Sequence, residues 1–304
     1  MTMIDYDELK DIPCYDTWIS IEPIDQGFST DRKFCITDIN CEKFFLRLSD
    51  ATSYARKKQE HEIIRSMSCL GVPTVKEVYL GLCNSEKHTY MLQTWIDGEI
   101  LENVLPTFSK TKQYELGLEA GRLLKRIHSW QPKASFDWYS TRFNQYLSNY
   151  DNYKKHGLSY EYEQQIDRYI KTNIHLLKGK QISLVHGDFH VGNMILSPAD
   201  DLYIIDFDRF DWKDPIEDFY KLAVFSRNVS IPFSIGQIDG YTDFNPSIEF
   251  WEMYALSIAM TSFLSLLWGK RISETMYKHR KRLCDILVED HDCFKHRIPK
   301  WYKK

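Results

Sequence analysis

The sequence predicts an α+β fold of two lobes, and three observations predict it. Short β-prone runs crowd the first third of the 304 residues. Stretches with apolar residues at helical spacing fill most of the remainder. Asp97-Gly98 breaks the pattern where one character gives way to the other. The simplest division is a small antiparallel-sheet lobe over 1–97 and a larger α-helical lobe over 98–304.

Each element follows from its residues. KFCIT (Lys33 to Thr37) and KFFLRL (Lys43 to Leu48) are strand runs, and Asp38-Ile39-Asn40 between them supplies turn chemistry, so they form a hairpin. Ser53 to Leu70 has helical spacing, with Thr52 or Ser53 as N-cap and Gly71-Val72-Pro73 as the stop. Val75 to Leu82 and Thr89 to Ile96 read as two further strands. From Lys110 to Trp130, Leu116, Ala120, Leu123, Leu124 and Ile127 share one helix face. Helices are also expected over Ser159 to Leu177, Asp214 to Val224, Ile248 to Trp268 and Glu274 to Val288. The β-like pair in this half is MIL followed by LYIID.

Bulk properties exclude some functions. Hydrophobic content is 43% and charged content 27%, ordinary for a soluble protein, and the net charge of −4 gives no basic platform for nucleic acid. The seven cysteines are odd in number, form no CxxC, and lack zinc-finger spacing relative to the histidines, so reduced thiols in a cytoplasmic protein are expected. The first residues, MTMIDYDELKDIP, are acidic and carry no apolar signal-type core. Phe250 to Trp268 is long enough to span a bilayer, but its serines and threonine favour a buried helix over a membrane span. A monomer or homodimer is expected.

The most informative stretch lies between His186 and Asp208: HGDFHVGNMILSPADDLYIIDFD. A carboxylate, Asp188, is followed five residues later by an amide, Asn193, and a short β-pattern then delivers Asp206. Phosphoryl transfer needs a group to orient the attacking hydroxyl and hard oxygens to hold Mg²⁺ on nucleotide phosphates. The bland alternative is a hairpin whose Asp and Asn merely shape turns.

HGDxxxxN followed by a strand and IDF resembles the aminoglycoside phosphotransferase and choline kinase-like branch of the protein-kinase-like fold. The resemblance implies a two-lobed kinase-like architecture over most of the chain. It implies that Asp188 is the catalytic carboxylate and that Asn193 and Asp206 are Mg²⁺ ligands. ATP or GTP would be the co-substrate. His186 would brace the loop, and His190 would either approach the substrate or face solvent. Asp208 stands where related enzymes more often have a small residue, and would meet a second metal, a substrate cation or solvent. Asp214 would cap a helix and Asp218 would bond the catalytic loop.

For the nucleotide, the resemblance places a phosphate loop at Asp25-Gln26-Gly27-Phe28-Ser29-Thr30-Asp31, with the backbone around Ser29 and Thr30 cradling oxygens. It points to Arg47 as the phosphate-binding cation, with Lys43 in reserve. Alternation puts Lys43, Phe45 and Arg47 on one face and Phe44, Leu46 and Leu48 on the other. Glu60 shares a helix face with Ile63, Ile64 and Met67, so it is preferred to Glu62 as the partner of Arg47. The inter-lobe hinge would be Met91 to Ile96, with Gln93 and Trp95 offering backbone to a purine edge and Ile204 or Ile205 packing on the ring.

The acceptor is expected to be a small-molecule alcohol, cationic in character. Asp208, Asp211, Glu217 and Glu252 are the candidate contacts, and Asp239, Asp243 and Glu249 are further acids interleaved with aromatics. An aminoglycoside-type antibiotic is the favoured acceptor, which would make the chain a resistance enzyme. A metabolic kinase for choline, a sugar or an amino-alcohol is the alternative within that class. A nucleotide-binding pseudokinase is the alternative outside it. No activation loop or APE-like segment follows IDFD, because Asp214-Pro215 arrives within eight residues of Asp206, which argues against a protein kinase.

Overall fold

The computed structural model describes residues 6–25, 30–132 and 137–303. The chain divides into two compact units, Met1–Glu99 with Ile195–Asp208, and Ile100–Met194 with Arg209–Lys304. The first break in the chain falls two residues past the expected boundary at Asp97. Ile195–Asp208, expected in the helical lobe, belongs instead to the sheet-bearing unit.

In the first unit, β1 (Trp18–Pro23), β2 (Arg32–Asp38), β3 (Lys43–Asp50), α1 (Tyr54–Met67), β4 (Glu77–Cys83) and β5 (His88–Thr94) follow in order. The five strands form an antiparallel sheet ordered β1-β2-β3-β5-β4. The β2–β3 turn works as its residues suggest, because Asp38 Oδ1 accepts from the backbone N–H of both Asn40 and Glu42. Side chains alternate across the sheet. Phe34, Ile36, Leu46, Leu48, Tyr90 and Leu92 enter one buried cluster with Leu9 and Ile12 from the N-terminal turns. Arg47 takes the opposite direction, toward α1, whose Glu60, Ile63, Ile64 and Met67 are buried. Ser53 stands at the N-cap of α1, as expected, without a side-chain cap bond, and the 3₁₀ turn Ala51–Ser53 before it is capped by Asp50, which accepts from the Thr52 N–H. β6 (Glu99–Ile100), β8 (Met194–Leu196) and β9 (Leu202–Ile204) form a three-stranded sheet ordered β6-β8-β9. Gly98 is obligatory beside it, since a Cβ there would lie 2.5 Å from the Leu196 carbonyl oxygen.

The second unit is helical. It contains α2 (Leu101–Val104), α3 (Lys110–His128), α4 (Trp138–Lys155), α5 (Glu163–Asn173), α6 (Phe219–Lys221), α7 (Arg227–Val229), α8 (Ile231–Tyr241), α9 (Ile248–Ile272) and α10 (Glu274–Asp290). Between α5 and α6 lie β7 (Ser183–Val185) and β10 (Asp211–Lys213), which pair antiparallel with Val185 opposite Asp211. The stretch expected as one helix from Asp214 is broken. It runs as a 3₁₀ turn over Pro215–Asp218, then α6, then a π-helical turn over Leu222–Ser226. α9 is a core helix: 78% of its most apolar window is buried.

Two of the longer helices, α4 and α8, escape the sequence reading, as do the short α2 and α7. α8 is capped by Ser230, which accepts from the Phe233 N–H, and carries a proline in its first turn. It packs on α3 through glycines on both helices. A Cβ at Gly117 or Gly121 would lie 2.1 or 2.2 Å from the carbonyl oxygens of Phe233 and Gln237. A Cβ at Gly236 or Gly240 would lie 2.2 or 2.1 Å from those of Tyr114 and Leu118. Side chains at these four positions would force the backbones apart.

Candidate active site

The catalytic loop is built in the second unit from β7 outward. β7 ends at Val185, so His186 and Gly187 turn directly off a buried strand. Gly187 has φ +79°, and a Cβ there would meet the Arg209 carbonyl oxygen at 2.0 Å, so only glycine fits. Asp218 fastens the turn. Its two carboxylate oxygens accept from the N–H of His186 at 2.8 Å and of Gly187 at 2.7 Å, and His128 Nε2 lies 3.0 Å away. Burial alone would raise the Asp218 carboxyl, but His128, His186 and these hydrogen bonds hold it below the usual range. Asp214 caps the following turn by accepting from the Ile216 N–H, and burial pushes its carboxyl up to about 6.

Asp188 stands at the top of this loop with 16% of its side chain exposed. His186 Nδ1 accepts from the Asp188 N–H at 3.2 Å, and the Asn193 amide donates to the Asp188 carbonyl at 2.9 Å. Three cationic or polar groups face the carboxylate: Lys221 Nζ at 2.7 Å, His190 Nε2 at 3.5 Å and Arg209 Nε at 3.7 Å. Burial would raise the Asp188 carboxyl, yet His190 and Lys221 outweigh it and keep the group ionised far below the ordinary range. His190 Nδ1 accepts from the Gly192 N–H, which puts the imidazole proton on Nε2, toward Asp188. Its ring stacks on Phe225 at 4.5 Å, so His190 is engaged inside the unit and is not a solvent-facing histidine. Asn193 spends its amide N–H on the loop and leaves its side-chain oxygen for a hard cation.

In the first unit, Arg47 and Lys57 anchor a charged cluster. Arg47 donates to Glu60 Oε1 at 2.5 Å and to Asp31 Oδ2 at 2.8 Å. Lys57 Nζ lies 2.8 Å from Asp31, 2.9 Å from Asp208 and 3.3 Å from Glu60. Asp208 is 3.4 Å from Arg47, and Asp206 lies 4.0 Å from it. Burial disfavours charge on Arg47, but Glu60, Asp206, Asp31 and Asp208 together raise it. Glu62 is exposed, and so is the reserve cation Lys43. Asp206 holds a left-handed backbone, φ +65°, with 44% of its side chain open, a conformation that non-glycine residues keep where structure imposes it. Arg56 adds a third cation by donating to the Asp208 carbonyl at 2.9 Å, so among the described residues three cations stand with four carboxylates and the cluster keeps a net negative charge.

Other expected nucleotide contacts fare differently. Gln26, Gly27, Phe28 and Ser29 lie outside the described residues, and Thr30 is exposed. Gln93 is corrected as a purine contact. It lies between β3 and β4, opposite both Phe45 and Glu77, and its side chain donates to Glu77 at 2.7 Å. Trp95 likewise has no N–H to offer, because that group donates to the Lys43 carbonyl. Its ring remains half-buried, edge-on to Phe45. Ile204 is fully buried and bonds Pro73, leaving Ile205 as the half-exposed member of the pair.

A family model described as the phosphotransferase enzyme family matches residues 20–253. The chain belongs to that family. Its members are phosphotransferase enzymes, and the fold is kinase-like. Among solved structures it is similar to the ADP-bound aminoglycoside phosphotransferase APH(2'')-Ib, at 18% identity over 99% of this chain and 100% of that one, with TM-score 0.67. It is similar to a thermostable mutant of APH(4)-Ia in ternary complex with ADP and hygromycin B, at 12% identity over 93% and 98%, TM-score 0.68. It is also similar to the gentamicin complex of APH(2'')-IIa, at 18% identity over 93% and 97%, TM-score 0.67. Among curated proteins it is 24% identical over 247 residues to mouse (Mus musculus) acyl-CoA dehydrogenase family member 10, covering 71% of this chain. The chain spans about a quarter of that relative's length.

Within this phosphotransferase the expected acceptor contacts are all committed elsewhere. Asp208 belongs to Lys57 and Arg47. Asp211 is exposed and pairs with Lys213 at 3.0 Å. Glu217 accepts from Arg142 Nε and Ser257, both at 3.1 Å. Glu252 pairs with Arg297. Asp239 accepts from Tyr114 and Tyr302, Asp243 pairs with Lys125, and Glu249 with Lys180. Some of these acids were expected to meet a cationic substrate, and each has a cation of the chain or a pair of tyrosines as partner. The sequence reading also missed Lys57, Lys221 and Arg280. Lys57 had a signal, since it lies one turn before Glu60 on the same buried stripe. Lys221 had none, because its direction depends on the π-helical turn.

Proposed function

We propose that this phosphotransferase moves the γ-phosphoryl group of ATP or GTP to an alcohol on a small molecule, with Asp188 orienting that alcohol. The observation that carries the reading is the state of Asp188: ionised, and mounted on a loop whose two preceding N–H groups, of His186 and Gly187, are held by the buried Asp218. A new oxygen–phosphorus bond forms as the bridging bond to the β-phosphate breaks, and the diphosphate leaves. The hydroxyl proton passes to Asp188 late, once phosphorus draws charge from the oxygen. A carboxylate held so far below its usual range is a weak base, so its contribution is alignment. Arg47, paired with Glu60, would hold the nucleotide phosphates. The neighbours bound to ADP or GDP support a purine nucleotide as co-substrate.

Mg²⁺ is proposed with it. Asn193 has an uncommitted hard oxygen, and Asp206 an open carboxylate in a cluster with surplus negative charge. Each, within its own unit, offers the hard oxygen that magnesium prefers, and the ion would supply charge neutralisation to the transferring phosphates. The seven free thiols suit a reducing compartment, and a cytoplasmic location is proposed on that ground.

For the acceptor, the aminoglycosides bound in neighbouring structures support an antibiotic and a resistance role. The committed acids support the other reading, a metabolic alcohol, which we prefer. The test is coupled ADP release across aminoglycosides, choline and metabolic alcohols, with the Asp188→Ala variant as control. Turnover should fall by about three orders of magnitude or more in that variant while nucleotide affinity changes little. Undiminished turnover would refute the assignment.

A further inference from the structure

We infer that the acceptor is an anionic alcohol: a hydroxyl compound carrying a carboxylate or phosphate, held by Lys221 and Arg280 beside Asp188. This rests on the phosphotransfer reading of Asp188 and narrows its substrate class.

The ground is the charge around one aromatic ring. Phe225 lies in the π-helical turn Leu222–Ser226, four residues after Lys221. Lys221 Nζ is 5.4 Å from its centroid, the Arg280 guanidinium 5.6 Å, and His190 stacks on it at 4.5 Å. The same Arg280 guanidinium stands 4.5 Å over Trp268, which fixes it between two rings. The π-turn is itself tied to the catalytic loop, because Ser226 Oγ accepts from the Val191 N–H. Single π-turns inside helices recur at functional sites, where they re-aim side chains.

The cations there outnumber the acids. Among the described residues Asp188 is the one carboxylate that pairs with Lys221 and Arg209, and Glu102 approaches the loop farther along, at Gly192. No ion pair within 4.0 Å engages Arg280 among the described residues, and its Nε is buried without a hydrogen-bond partner. Burial and then the positive charges of Arg209 and Arg280 all depress Lys221, and Asp188 alone does not fully offset them. A half-buried guanidinium clamped on two rings with no counter-charge is stabilised by an anion and repels a cation. The acids that could have received a polyamine are occupied by Arg142, Arg297, Lys213, Lys125 and Lys180. An incoming aminoglycoside would have to displace those partners and accept the cations near Asp188.

The test is initial-rate ADP release by the full chain with MgATP and five acceptors: glycerate, glycerol 3-phosphate, glycerol, choline and kanamycin. Turnover should favour glycerate or glycerol 3-phosphate over glycerol by at least about tenfold in kcat/KM, with choline and kanamycin inert. The two anions separate the carboxylate from the phosphate arm. Arg280→Met should raise KM for the active anion by about tenfold, and Arg280→Lys should recover part of the loss by restoring charge. Turnover confined to glycerol, choline or kanamycin, or no anion exceeding glycerol, overturns the inference. Failure of the underlying phosphotransfer reading looks different: no MgATP binding by calorimetry and no ADP from any acceptor.

Discussion

Replacing Glu77 by glutamine should stabilise this enzyme at neutral and alkaline pH and do nothing in acid. Glu77 opens β4, and its side chain is fully buried. It accepts from Gln93 at 2.7 Å and lies 3.0 Å from His61 Nδ1. Burial pushes its carboxyl up from 4.5 to about 7, and the neighbouring charge of Glu60 adds to the rise. The native chain therefore binds this proton more tightly than the unfolded chain. Its stabilising effect is complete below pH 4.5, declines as pH rises toward 7, and is gone above that. The loss is 1.36 kcal/mol for each of the roughly 2.5 pH units, or about 3 kcal/mol. Glutamine keeps both contacts without titrating, accepting from Gln93 and donating to His61. Urea denaturation at pH 4.5, 6 and 8 should show Glu77→Gln equal to the parent at the lowest pH and ahead by about 3 kcal/mol at the highest. An offset that does not vary with pH, or a variant less stable at pH 8, would refute the reasoning.

Other expectations test separate parts of the molecule. Glu60→Gln should raise the nucleotide KM about fivefold, because Arg47 loses the partner that fixes it, whereas Glu62→Gln should change it little; equal effects would remove the assignment. Asp218→Asn should cost about 3 kcal/mol in chemical denaturation and lower kcat, since an amide cannot accept from both the His186 and Gly187 N–H groups; an unchanged denaturation midpoint counts against it. Gly121→Ala should destabilise by about 2 kcal/mol even though alanine is the better helix former, because its methyl would sit 2.2 Å from the Gln237 oxygen. A thermal midpoint at or above the parent's would show that α3 and α8 have room to separate.

The reach of sequence reasoning varied with how local each feature is. The β2–β3 hairpin was legible because Asp38 makes its turn bonds within four residues. The α3 face was legible because a repeat of apolar residues survives whatever packs on it. Glu60 was separable from Glu62 by burial alone, since an acid on an apolar stripe must find a cation. Helix α8 was missed, because its small and apolar residues carry little amphipathic signal and its packing is between glycine backbones. Gln93 was misjudged because a strand sequence does not say that a neighbour will flank it on each side.

What the sequence determined by itself was the chemistry available: a carboxylate, an amide and a second carboxylate at fixed spacing, on a chain that switches from strand to helix near Asp97. Spacing along the backbone is covalent, so it needs no fold to be read. Tertiary structure decided which charges are free. Acids that looked open to a cationic acceptor are paired with residues from 2 to 161 positions away, while Lys221 and Arg280, with no local signature, meet at the ring of Phe225, on which His190 stacks. Electrostatic pairing depends on distance in space, and only the folded chain sets that distance.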